Sequence, residues 1–370
     1  MKYYIIAGEA SGNLHAASLM RALFACDRAC EVRFWGGEAM AAAGGTQVRD
    51  YRSTDVMGMM EVLAKAPRIL RHLAFCKRDL RAWKPDVVIL VDYPGFNMKV
   101  ARFARRKGFH VVWYIAPKLW AHQPQRVDAL KRDVEVLYCI FPFELDWFRQ
   151  HGVEPRYFGN PLVGQVQQTP FRRMGEGPII ALLAGSREME IKYLLPRFAR
   201  LEQLLDADPR LAGYRLVLAA APSLTPEQYR KYMPRTSRIE LVWDHTYDIL
   251  HQAEAALVCS GTASLEAALL GTPQVVCYAL HPLTYAVARR SVHVPFISLV
   301  NLTLGRVAVP ELIQEEATPE RMFLELEHLL RDESGRAQMA ADYRELKEML
   351  GDGKASARTA KDLYETFARI

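Results

Sequence analysis

The chain lacks most of the features that would assign it at a glance. Its six cysteines (Cys26, Cys30, Cys76, Cys139, Cys259 and Cys277) include no C-x-x-C pair, which sets aside a thioredoxin-type redox centre and a zinc ribbon. They lie mostly in apolar or helical contexts and read as reduced packing residues. Its ten histidines show no H-E-x-x-H or comparable spacing, so no metal is expected. No apolar run approaches the ~20 residues needed to cross a bilayer. The first strand, "MKYYIIAGEA", is preceded by neither a basic n-region nor a small-residue cleavage site, and the expectation is a cytoplasmic protein. G-x-G-x-x-G is absent, and no Gly-Lys-Ser/Thr closes a glycine loop. A dinucleotide fingerprint and a P-loop are thereby excluded.

What is present is a chain of 370 residues, half of them hydrophobic, enough for two domains of ordinary size. The net charge of +6 is unevenly spread. Between Lys65 and Lys84 the chain carries Lys65, Arg68, Arg71, Lys77, Arg78, Arg81 and Lys84 against the single acid Asp79, and "KVARFARRKG" follows. An anionic membrane, a phosphorylated substrate or a nucleic acid suits such clusters. The nearby aromatics lack the spacing of an RNA-binding module, so nucleic acid ranks last.

Continuous apolar strands alternate with helical stretches: "KYYIIA", "EVRFWGG", "PDVVILVDYPG", "HVVWYIAP", "EVLYCIFPFE", and after a break "IIALLAG", "YRLVLAA", "RIELVW", "AALVCSG", "PQVVCY". Runs of that kind belong to parallel strands covered on both faces. The expected fold is α/β, with two Rossmann-like doubly wound parallel-sheet domains facing a cleft. The domains are expected at residues 1–163 and 178–345, with a Gly/Pro-rich linker at 164–177. A helical tail at 346–370 crosses back on the first domain or exchanges with a partner chain in a homodimer.

Both domains open with strand, glycine turn, serine and helix: Gly8, Ser11 and Gly12 in the first, Gly185 and Ser186 in the second. Glycine lets a ligand approach the backbone, and a helix start favours an anion. A serine-capped tight turn is the plainer alternative. "SGTASLE" is more specific. Ser260, Gly261, Thr262, Ala263 and Ser264 lie where a strand hands over to a helix, a place suited to a diphosphate. Glu266, in the first turn, can accept hydrogen bonds from two ribose hydroxyls; as a plain helix-start charge it needs no ligand.

The motifs "AGEASGN" (7–13), "KPDVVILVDYPGFN" (84–97), "YIAPKLWAH" (114–122), "FPFE" (141–144), "FGNPL" (158–162), "LLAGSRE" (182–188), "SGTASLEAALLGTPQVV" (260–276) and "SLVNLTLGRVAVPELIQEEATPE" (298–320) resemble, in order and spacing, those of the lipid-A-disaccharide synthases. These are inverting, membrane-associated glycosyltransferases of the GT-B fold, family 19. The resemblance implies transfer of the sugar of UDP-2,3-diacylglucosamine to the 6-hydroxyl of 2,3-diacylglucosamine 1-phosphate, with UDP as leaving group and neither cofactor nor metal. It implies a ribose-binding Glu266 and a diphosphate turn at Ser260–Ala263. Arg187 would neutralise the leaving group, and Asn301 would orient donor or acceptor. Many members carry D-x-P-D-F-N with the later aspartate as suspected base. Here Gly95 stands in its place, leaving Asp92 as the nearest substitute and Glu9 the next. Asn13, His122 and Asn160 also depart from the common pattern.

Acylated substrates imply a membrane. The segment 56–84, interrupted by Pro67, is expected to form two short helices lying on the inner face of the cytoplasmic membrane. A UDP-N-acetylglucosamine 2-epimerase and a non-catalytic protein that binds UDP-sugars or lipid at the membrane are the competing readings.

Overall fold

The computed structural model describes residues 1–51, 59–291 and 294–368. The chain divides into two compact units, Met1–Gly164 together with Leu350–Ile370, and Gln165–Met349.

The first unit holds seven parallel strands: β1 (Lys2–Ala7), β2 (Glu31–Trp35), β3 (Thr46–Arg49), β4 (Val87–Val91), β5 (His110–Tyr114), β6 (Val136–Cys139) and β7 (Arg156–Tyr157), in the order β3-β2-β1-β4-β5-β6-β7. The second holds six: β8 (Ile179–Leu183), β9 (Arg215–Ala220), β10 (Glu240–Trp243), β11 (Ala253–Cys259), β12 (Gln274–Tyr278) and β13 (Glu311–Ile313), ordered β10-β9-β8-β11-β12-β13. Apart from the edge strands β3, β7 and β13, these are the strands legible in the sequence. Every residue of β4 and β8 is buried, because helices cover both faces and leave no polar side to show. In each sheet the strand order reverses beside the first strand, at β1/β4 and at β8/β11. That switch point, beyond the carboxyl ends of the strands, is where open α/β sheets hold ligands.

Two apolar layers flank the first sheet. One joins Tyr3 and Ile5 of β1 and Ile89 of β4 to the helix Ala10–Cys26 and, from the far end of the chain, to Ala360, Leu363 and Phe367. The C-terminal helix Ala355–Phe367 is pinned there by Asp362, which accepts from Tyr138 Oη at 2.5 Å and from Arg156 Nη1 at 2.6 Å. The other layer receives Leu73, Cys76 and Leu80 from the helix Met59–Trp83.

That helix corrects an expectation, since it runs unbroken through Pro67 where two short helices were predicted. Proline removes one helical hydrogen bond. The buried stripe Leu73, Cys76 and Leu80 and the bond from Tyr4 Oη to Asp79 (2.7 Å) hold the later turns to the sheet. Residues 56–58, where the basic apolar segment begins, lie outside the described residues. Among the described residues no helix is long and apolar enough to cross a membrane.

Residues 165–177 are tied to the second unit: Arg172 N donates to Asp248 Oδ1 at 2.7 Å, Met174 N to Gln252 Oε1 at 2.8 Å, and Arg215 Nη1 to the Met174 carbonyl at 2.8 Å.

Candidate functional site

In the first unit, β1 and β4 end level, Ala7 opposite Val91, so the turns that follow lie side by side. Gly8 is required there: a Cβ would stand 2.2 Å from Tyr93 Cδ1. Asp92 and Tyr93 both take left-handed backbone (φ 44° and 50°), a conformation that costs about 1–3 kcal/mol per residue and needs surrounding support. Asn97 supplies it. Wholly buried, it donates from Nδ2 to the carbonyls of Asp92 (2.8 Å) and Val91 (3.3 Å). Burial pushes the Asp92 carboxyl above the ordinary aspartate range, opposed by Lys118, the Tyr93 N–H and His122. The turn therefore presents a half-buried carboxyl of raised basicity next to a cation. Glu9 occupies the N-cap of Ala10–Cys26 without capping it through its side chain. Ser11 is exposed, and Gly12 is buried against Val91 and Ala7. Gly95 is exposed, with nothing within 4 Å of where its Cβ would be.

Lys118 and Glu144 went unrecognised in the sequence. Glu144 is buried, accepting from Trp120 Nε1 (3.0 Å) and from the N–H groups of Ile140 (3.0 Å) and Phe141 (3.1 Å). Burial outweighs these donors and raises its carboxyl to about 7. It thus ties "YIAPKLWAH" to "FPFE". A three-residue-later Glu at a helix start was the available signal.

In the second unit, β8 and β11 are paired neighbours, Leu183 opposite Val258, and β12 lies alongside with Cys277 opposite Cys259. Their ends bring together Gly185–Arg187, Ser260–Ala263 and Tyr278. Gly185 (φ +98°) is demanded by Glu190, whose Oε2 would meet an added Cβ at 2.2 Å. Glu190 accepts from the N–H groups of Ser186 (2.8 Å) and Arg187 (3.2 Å). The N–H groups of Ser186 and Arg187 in this turn are thus already engaged by a carboxylate of the same helix, Glu188–Ala207. Arg187 is half exposed, 3.4 Å from Glu190 Oε1, and its charge reaches Cys259 and Tyr278 on the neighbouring strands, opposing the effect of burial on both.

The helix Thr262–Leu270 starts from Gly261, whose φ of +137° favours glycine. Two of its three hydroxyls are committed: Ser260 Oγ donates to the Ile297 carbonyl (2.7 Å) and Ser264 Oγ to that of Gly261 (2.8 Å). Thr262 is exposed. An anion at this turn thus meets the helix-start N–H groups and Thr262, while Ser260 braces the turn. Glu266 accepts from Tyr247 Oη at 2.9 Å, and Tyr247 Oη in turn accepts from Gln165 Nε2 at 3.2 Å. Burial raises the Glu266 carboxyl above the usual glutamate range, and Tyr247 eases it.

Asn301 lies at the start of the helix Leu299–Leu304. Expected to orient donor or acceptor, it is wholly buried with its side chain fully engaged. Oδ1 accepts from Ala308 N (2.8 Å) and Val309 N (3.0 Å), and Nδ2 donates to the Val309 carbonyl (2.9 Å) and Glu311 Oε1 (2.9 Å). An amide with all four bonds made has nothing left for a substrate. It acts through Glu311, which accepts from the N–H groups of Ile297 and Ser298 at 2.9 Å each, and so fixes the carbonyl that holds Ser260.

Asp206 and Asp208, the one D-x-D in the sequence, face Arg238 and Arg210. Among the described residues no three His, Cys, Asp or Glu side chains come together as a metal site would need.

A sequence model of the lipid-A-disaccharide synthetase family matches residues 3–363. The lipid-A-disaccharide synthase of Myxococcus xanthus is 39% identical over 378 aligned residues, covering 98% of this chain and 96% of the relative. That of Geobacter metallireducens is 35% identical, covering 99% and 97%. Solved structures of similar fold include the Staphylococcus aureus MnaA–UDP co-structure (TM-score 0.70, 15% identity, 100% and 97% covered) and the Neisseria meningitidis UDP-GlcNAc 2-epimerase bound to UDP-GlcNAc (TM-score 0.68, 13% identity, 99% and 100% covered). A calicheamicin glycosyltransferase is also similar (TM-score 0.63, 18% identity, 100% and 98% covered). At these identities the likeness is one of fold, which is GT-B. With two parallel sheets, a helix-start turn at each switch point and a family match from end to end, the chain belongs to the lipid-A-disaccharide synthetase family and is a glycosyltransferase.

Proposed function

We propose that the protein transfers 2,3-diacylglucosamine from UDP-2,3-diacylglucosamine to the 6-hydroxyl of 2,3-diacylglucosamine 1-phosphate. The observation that carries this reading is the family match across residues 3–363. In the second unit, Glu266 takes the ribose hydroxyls. The helix-start N–H groups at Gly261–Ala263 and Thr262 hold the diphosphate, with Arg187 opposing its charge as it departs. In the first unit, Asp92 accepts the proton of the acceptor hydroxyl. That oxygen attacks the anomeric carbon from the side opposite the phosphate, the carbon–phosphate-oxygen bond breaks, and UDP leaves with the electron pair. The product is the β-1′,6-linked disaccharide 1-phosphate. Asp92 fits the role of base because burial makes its carboxyl more basic. The charge needed at the leaving group comes from Arg187 and the helix start, so the reading assigns no metal and no cofactor.

The basic apolar segment 56–84 serves as the face toward the cytoplasmic side of the inner membrane, where both acylated substrates reside. The test is product formation by purified protein in detergent, with diacylglucosamine 1-phosphate as acceptor and UDP-diacylglucosamine or UDP-N-acetylglucosamine as donor. Disaccharide and UDP in equal amounts from the acylated donor alone are expected. Conversion of UDP-N-acetylglucosamine without acceptor would replace this reading with an epimerase.

A further inference from the structure

Three arginines and a histidine of the first unit converge on a cavity of about 310 Å³ to which the mechanism just described assigns no group. Arg49 ends β3, while Arg68, Arg71 and His72 come from the helix Met59–Trp83. Their spacing of three and four residues stacks them on one helix face. The Arg49 guanidinium lies 4.6 Å from the centroid of the Phe75 ring, which restrains it at the cavity edge. His72 meets Trp35 edge-on, with centroids 6.1 Å apart.

Several of the chain's arginines are answered by carboxylates. On this same helix Asp79 receives Arg33 at 2.7 Å, and Arg156 meets Asp362, Arg215 meets Glu240, and Arg306 meets Asp342 and Glu345. Among the described residues no carboxylate pairs with Arg49, Arg68 or Arg71. Like charges one helical turn apart repel, and burial together with the three arginines pushes the His72 imidazole below its ordinary range. An anion in the cavity removes that repulsion.

We propose that this cavity binds a phosphate group carried on a lipid or an acylated sugar. A phosphate monoester presents three terminal oxygens to the three guanidinium forks, whereas a carboxylate presents two, and the phosphodiester of a lipid headgroup presents two terminal oxygens beside its two ester oxygens. The cavity holds roughly ten water volumes, room for a phosphate and part of the molecule that bears it. Leu70, 60% exposed beside Arg71, offers an apolar surface next to the charges. Two sources share this chemistry: the 1-phosphate of the acceptor, which rests on the reaction proposed above, and the headgroup of an anionic phospholipid.

The experiment follows the His72 ring by NMR in the full-length protein. α-Glucosamine 1-phosphate is added in one arm, and in the other phosphatidylglycerol-containing vesicles are compared with pure phosphatidylcholine. An anion beside His72 raises its pKa, so its titration should move upward. Arg71→Gln should weaken the effect about tenfold or more, with Arg71→Lys intermediate because it keeps the charge and loses the fork. A response to the sugar phosphate identifies the acceptor as the source, and one to the anionic vesicles alone identifies the headgroup. A His72 titration that neither probe moves, or that moves equally in folded Arg68→Gln/Arg71→Gln protein, overturns the site. Disaccharide synthesis measured on the same samples separates the two ideas. Synthesis with a silent His72 removes only the cavity, and a responsive His72 without synthesis removes only the proposed reaction.

Discussion

Asn301→Ala separates a residue that touches substrate from one that holds the site in place, and its cost can be worked out beforehand. The substitution strips partners from the Ala308 and Val309 N–H groups, the Val309 carbonyl and Glu311 Oε1, all around a wholly buried side chain. At about 1 kcal/mol for each net bond, more for the one to a carboxylate, the loss is about 3–5 kcal/mol. For a unit of this size each kcal/mol lowers the midpoint by about 2–4 °C, so calorimetry should show the second unit's transition falling by roughly 10 °C. UDP affinity should fall with it, because Glu311 then holds the Ile297 and Ser298 N–H groups less firmly and the Ser260 brace loosens. Asn301→Asp adds a sign test. A carboxylate facing Glu311 is harder to ionise in the fold than in the unfolded chain, so this variant is least destabilised at low pH and loses stability as pH rises. Unchanged melting of Asn301→Ala with turnover abolished would overturn this account and put the amide against the substrate.

Asp92→Asn should cut turnover by about 10²–10⁴ with little change in UDP affinity. Gly95→Asp, placed where no atom lies within 4 Å of the new Cβ, should fold normally and restore part of that loss, as measured by initial rates. A tenth of wild-type activity in Asp92→Asn alone would remove it as base. Glu144, raised to about 7 by burial, favours the folded state fully below about pH 4.5, and this contribution is lost as pH rises through 7. The change is about 3 kcal/mol at most. Urea titrations across pH 4.5–8 should show that slope in the wild type and its loss in Glu144→Gln. Tyr247→Phe removes one hydrogen bond to Glu266 and should weaken UDP binding only a few-fold by calorimetry, where Glu266→Ala weakens it by about two orders of magnitude. Equal effects would mean that Glu266 serves Tyr247 and not the ribose.

The fold class was legible in the residues themselves, because strands buried on both faces must be apolar throughout, and "VVILV" and "IIALL" have no other use in an α/β chain. So was the turn at Ser260–Ala263, since glycine and small hydroxyl residues between a buried strand and a helix leave few alternatives. The edge strands β3, β7 and β13, of four, two and three residues, were too short to carry a period. Nothing local said which surface the last helix covers, and contacts more than 200 residues apart place it on the first unit. The partners of each polar side chain were likewise decided by tertiary contacts. Asn301 looked free to bind a ligand, and the loop at 308–311 uses all four of its bonds. Glu190, Glu144 and Tyr247 looked ordinary, yet they hold the turns that matter. Local sequence sets backbone and burial, but a hydrogen-bonding group's role depends on which partners arrive from distant strands. Those arrivals are visible only once the sheets have formed.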